Sequence, residues 1–225
     1  MQPGGGDLGR RPVGHPGTSY TAGLVTGRPR GCLLEIIETL VLTLVIFFVV
    51  QTFVAQPYRV EQQSMERTLI PDQYVLVDKL SPRWDDYSRG DIVVFEPPET
   101  WVEDGSRTPF IKRVIGLPGE TVEVRDGAVW VDGIRLDEPY VFDGQPTTAR
   151  DEPERWVVPA GELFVLGDHR AQSADSRTFG PISRDTVIGR AIVRYWPLDT
   201  VGILPTPTYA AAGDTGDARS GIALP

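Results

Sequence analysis

The chain has 225 residues, 40% of them hydrophobic, with 24 glycines and 20 prolines; this gives room for one domain of ordinary size and points to turn-rich β structure with unfolded ends. A net charge of −9 argues against a nucleic-acid partner, because phosphate backbones are met by basic surfaces. Cys32 stands alone, so no internal disulfide forms, and with only His15 and His169 beside it there are too few ligands for a zinc site of the usual type.

Residues 1–31 are rich in Gly, Pro and Thr and have almost no apolar periodicity, the composition of a disordered tail. LLEIIETLVLTLVIFFVVQTFVAQPY follows. From Thr39 to Tyr58 it holds 20 residues without a charge, about the length of a bilayer-spanning helix. Residues 32–57 are therefore expected to form a transmembrane helix, ended by Pro57. A buried core helix fits poorly, because Ile46 to Val50 is apolar on every face. A cleaved leader fits poorly too, because Phe53-Val54-Ala55 lacks the first small residue of a cut site. Arg28 and Arg30 precede the span, so the positive-inside rule puts the N-terminus in the cytoplasm and the remainder across the membrane.

After the span the pattern changes to short apolar or alternating runs bounded by Gly, Pro and Asp, which predict a mostly β body over residues 58–200. TVEVR-Asp126-Gly127-AVWV is the clearest hairpin, Asp132-Gly133 offers a second turn of the same type, and Gly119 supplies positive φ after Pro118. Residues 201–225 read as a second disordered tail.

Of the 22 basic side chains only Lys79 and Lys112 are lysine. Arginine keeps its proton in proteins, whereas a buried lysine can lose it and act as a base. In a strand over Phe110 to Ile115, Lys112 shares a face with Phe110 and Val114. Two readings of it stand on that pattern: a desolvated neutral amine, or a lysine whose stem packs while its head reaches water. Lys79, beside Asp78 at a strand end, reads as a surface charge. Ser64 lies in a loop just past the span and is a weak signal alone. A histidine-based triad would have to use His169.

The segments Ser64-Met65-Glu66-Arg67-Thr68-Leu69, Gly90 to Phe95, Lys112 to Glu120 and Gly167 to Arg177 resemble, in order, the four signature boxes of the type I signal peptidases. The likeness runs from about residue 35 to 198. It implies an all-β catalytic body of antiparallel sheets coiled toward a barrel, an apolar surface lying on the lipid bilayer, and no cofactor. It also implies a membrane-bound serine endopeptidase of the bacterial plasma membrane, working as a monomer, that removes signal peptides from exported preproteins. By motif position Ser64 is the nucleophile and Lys112 its general base, with Ser173 orienting the lysine. Asp175 and Arg177 form a bracing ion pair with Arg113 nearby. Tyr58, Val60, Met65, Leu69, Phe110 and Ile111 are candidates either to line the pockets for small side chains or to fill the core.

Three departures stand out. Arg67 replaces a usual proline, Gln62 takes the place of a hydroxyl that in some members serves the oxyanion hole, and His169 replaces a common asparagine. Gln62 could donate in the hydroxyl's place. Two other readings remain open: a silent anchored scaffold that binds exported chains, and a soluble Ser/Lys self-cleaving repressor. The long uncharged span argues against the second.

Overall fold

The computed structural model describes residues 29–102, 108–150, 154–207 and 209. Most of the two expected tails therefore lies outside the described residues. The chain divides into two units, Met1–Leu44 and Val45–Pro225.

Helix α1 runs over Pro29–Val49 and widens into a π-helical turn at Val50–Val54. Together they give one helix, Gly31–Val54, long and apolar enough to cross a membrane. Leu33, Leu40, Val45 and Phe48, on different sides of the helix, are all more than half exposed. Thr39 and Thr43 turn their hydroxyls back onto the carbonyls of Glu35 and Thr39, so neither adds an unsatisfied polar group to that surface. The helix ends before Pro57. Ala55 is already extended, with φ −152° and ψ 139°, and Pro57 lies inside strand β1 (Ala55–Arg59). Among the described residues this strand pairs only with β2 (Tyr74–Asp78), and an edge strand is where a residue lacking an N–H is tolerated.

The remaining strands are β3 (Ile92–Phe95), β4 (Phe110–Gly116), β5 (Thr121–Arg125), β6 (Ala128–Val131), β7 (Ile134–Arg135), β8 (Arg155–Val157), β9 (Glu162–Leu166), β10 (Ile182–Ser183), β11 (Val187–Trp196) and β12 (Gly202–Ile203), with a short helix α2 at Ser176–Phe179. They form two antiparallel sheets. The larger has the order β1-β2-β11-β3-β4-β9-β10, with β12 on β11, and the smaller has the order β7-β6-β5-β8. The expected hairpin is β5–β6. Asp126 and Gly127 both have positive φ, 53° and 73°, as a two-residue turn matching strand twist requires. Asp132 and Gly133 repeat the pattern between β6 and β7.

Strand β3 is buried on both faces. Its Ile92 and Val94 pack with Val60, Met65, Leu69, Val75 and Ile111, whereas Val93 and Phe95 pack with Trp101, Val114 and Val165. A third core joins the smaller sheet to the ends of β4 and β9 through Ile115, Phe164 and Leu166. The body continues past residue 200, where the sequence expectation ended it. β12 pairs with β11, Leu204 is buried, and the Tyr209 hydroxyl lies 2.7 Å from that of Tyr140.

Candidate active site

Ser64 sits in a 3-10 turn, Gln63–Met65, on the connection from β1 to β2. Lys112 is the third residue of β4 and stands opposite Val93 of β3. The fold brings their side chains together. Lys112 Nζ lies 2.7 Å from Ser64 Oγ, with the Ile111 carbonyl as its second partner at 3.2 Å. Lys112 is fully buried, Ser64 is 2% exposed, and the Phe110 ring lies 5.1 Å from the ammonium nitrogen. Of the two readings of Lys112, the snorkelling lysine is therefore excluded. Burial lowers its pKa to about 8, and the negative charges of Asp175 and Asp168 oppose that shift without cancelling it. The arrangement can move a proton from a hydroxyl to an amine in a water-poor setting.

The support around this pair is electrostatic. Arg113 makes two hydrogen bonds to Asp168, at 2.8 and 2.7 Å, and both side chains are essentially buried. Asp168 also accepts from the Thr68 hydroxyl, which ties this ion pair to the chain four residues after Ser64. Arg177 pairs with Asp175 at 2.9 Å as expected, while Asp175 accepts from the Gly167 N–H and caps α2. These bonds to the ionised carboxyl hold it below its usual range against the opposing effect of burial. A third buried pair, Arg170 with Glu138, was not foreseen, nor was the partnership of Arg113 with Asp168. Motif positions name such residues, but only the pairing of β4 with β9, which sets Arg113 opposite Leu166, brings residues 55 apart within bonding distance.

Ser173 is placed differently from expectation. Its hydroxyl is buried and makes no close hydrogen bond, to Lys112 or to any other described residue. It does lie near enough to Asp175 to favour that carboxylate's charged form. It packs over Gly167, whose missing side chain leaves room for both Ser173 and the Ser64 carbonyl.

The His169 side chain has partners of its own. Its ring nitrogen Nδ1 lies 2.7 Å from Glu66 Oε2, and its ring stacks on Phe142 at 4.3 Å. Its backbone N–H donates to the Ser64 carbonyl at 3.0 Å. Arg67 has φ 84°, a conformation proline cannot adopt with its φ fixed near −65°. In this chain the turn is held instead by the Arg67 guanidinium, which donates to the Val141 carbonyl at 3.0 Å.

Tyr58, Val60, Gln62 and Ile111 line one narrow cleft with about 20 Å³ of free volume, joined by Val75 and Val94. The Gln62 amide makes no hydrogen bond to any described residue and is half-buried. Met65 and Leu69 are 0% exposed and belong to the core beneath. Phe110 packs with Phe95 and Trp101. Among the described residues no cluster of His, Cys, Asp and Glu could hold a metal ion.

The family model "Signal peptidase, peptidase S26" matches residues 33–196. Signal peptidase I of Leptolyngbya laminosa is 41% identical over 180 residues, 79% of this chain and 87% of that protein. Signal peptidase IB of Staphylococcus aureus is 33% identical over 179 residues, 73% of this chain and 90% of that protein. A crystal structure of a signal peptidase I from Enterococcus faecalis V583 is 34% identical and aligns with 47% of this chain and 97% of that one, with a TM-score of 0.37. The match of the family model from the apolar helix through β11, with relatives aligned over most of their own length, places the chain in the peptidase S26 family of signal peptidases, which are serine peptidases.

Proposed function

We propose that the chain is a membrane-anchored endopeptidase that removes signal peptides from exported preproteins by a Ser64/Lys112 dyad. One observation carries the mechanism: a fully buried lysine with its nitrogen 2.7 Å from a serine hydroxyl. Neutral Lys112 accepts the Ser64 proton as Oγ attacks the scissile carbonyl. The Ser64 N–H lies at the start of a 3-10 turn, where such groups lack a partner within the turn. It stabilises the oxyanion, and the unbonded Gln62 amide swings in as a second donor. The ammonium then protonates the leaving amine. A water deprotonated by Lys112 cleaves the acyl-enzyme.

The substrate lies extended along the Tyr58–Gln62 segment, held by main-chain hydrogen bonds in the manner of an added strand. The cleft beside it is narrow enough to favour small side chains before the cut, with Tyr58, Val60 and Ile111 as walls. Met65 and Leu69 form its packed floor rather than its surface. The apolar helix anchors the enzyme with its N-terminus in the cytoplasm, and Arg28 and Arg30 set that orientation. Anchoring confines enzyme and substrate to one surface and raises their effective concentration.

The test is to incubate the detergent-solubilised full chain with a preprotein carrying an Ala-X-Ala site. A single cut after the second Ala is expected, abolished in Ser64→Ala and in Lys112→Ala. Full activity in Lys112→Ala would overturn the dyad.

A further inference from the structure

Most arginines of the β body lie within ion-pair distance of a carboxylate, among them Arg59, Arg89, Arg113 and Arg170. Arg67 and Arg194 have no such partner among the described residues, yet they line the same cavity of about 440 Å³. Thr68, Arg113, Tyr140 and Ile203 help form its wall, and among the described residues no Asp or Glu does. The charge of Arg113 is cancelled by Asp168; those of Arg67 and Arg194 are not cancelled by any described carboxylate. Their guanidinium groups spend part of their donors on carbonyls, Arg67 on Val141 and Arg194 on Thr200 and Thr68. Nη2 of each makes no hydrogen bond to a described residue. In a chain of net charge −9, two uncompensated cations sharing one cavity constitute an anion site by charge complementarity.

The cavity opens onto an apolar rim. Ile203, which lines it, is 83% exposed, and Leu198 and Val201 beside it are 72% and 55% exposed. An acidic peptide would satisfy the charge and leave that rim in water. An anionic phospholipid satisfies both, with its phosphate on the two guanidiniums and its acyl chain across the rim. We propose that this cavity binds the headgroup of an anionic phospholipid and so holds the catalytic body against the bilayer. The proposal rests on the membrane-anchored reading above. It assigns Arg67, which stands where proline is usual in the resembling enzymes, a role beyond holding its turn.

The test uses the full chain reconstituted in phosphatidylcholine vesicles that contain brominated phosphatidylglycerol or, at equal mole fraction, brominated phosphatidylcholine. The apolar helix has no tryptophan, so quenching reports the body alone. A protein with this net charge should disfavour anionic lipid by its overall field; the site predicts the opposite sign. Brominated phosphatidylglycerol is expected to associate on the order of 25-fold more strongly, falling to parity or below in Arg67→Gln/Arg194→Gln, since each arginine near an anionic lipid surface contributes on the order of fivefold. Lysine at both positions should restore the preference, separating charge from fold. Equal quenching by both lipids in the wild type overturns the site and leaves the anchor intact. Loss of the preference to a micromolar Glu-rich peptide overturns the lipid assignment in favour of an acidic peptide. Failure to float with vesicles of either composition overturns the anchored reading and this site with it.

Discussion

An ammonium group can be buried without a partner charge only at a cost, and among the described residues Lys112 has no carboxylate within ion-pair distance. Two predictions follow from its pKa of about 8. The rate kcat/KM should rise about tenfold per pH unit up to roughly pH 8 and then level, because only the neutral amine accepts the Ser64 proton. A profile flat from pH 6 to 9 would remove Lys112 as the base. The second concerns stability. The folded pKa lies below the unfolded value of about 10.5, so between these values the unfolded chain binds more protons, and stability rises with pH. Below pH 8 both states are charged, and the folded state carries the full desolvation cost. Lys112→Met should therefore raise stability near pH 7 by about 1–3 kcal/mol, with the gain vanishing toward pH 10.5, as measured by urea unfolding. Asp168→Asn acts in the reverse direction. It leaves Arg113 buried without a counter-charge and should cost about 3–5 kcal/mol. At this scale Lys112 was legible because it interrupts an apolar strand in a chain that otherwise writes arginine. Asp168 was not, because its partner is far away in sequence.

At the scale of elements, the segment around Gly167 is the tightest. A methyl group there would lie within 2.5 Å of the Ser64 carbonyl oxygen and would collide with Ser173. Gly167→Ala should displace the turn that carries Ser64 and lower kcat by on the order of 10²-fold, since a shift of about 1 Å is enough for that loss. KM should change far less. Arg67→Pro should also fail, despite proline being usual in the resembling family, because φ 84° is closed to it. Turns were the easiest elements to read. Asp126-Gly127 and Asp132-Gly133 announce positive φ in their own residue types, and their hairpins followed. The helix end was harder. Proline reads locally as a helix stop, but here the chain had already become an edge strand that accepts it. β12 left no signal, because two residues paired with β11 have no periodicity of their own.

The whole molecule depends on β11. It lies between β2 and β3, joining the half that carries Ser64 to the half that carries Lys112. Chains ending before residue 187 should lack cooperative unfolding and any activity, although both residues are present, as circular dichroism and the cleavage assay would show. Such long-range pairing also makes for slow folding. The sequence announced β11 as a strand, but its neighbours could not be read, since nothing local to Val187–Trp196 names β2 as its partner. Its late place in the chain has a consequence for biosynthesis. Translation proceeds from the N-terminus, so Ser64 and Lys112 leave the ribosome before Val187–Trp196 does. Until β11 has emerged and paired, the strand that joins the two halves of the sheet is missing, and the hydroxyl and the amine are not held together.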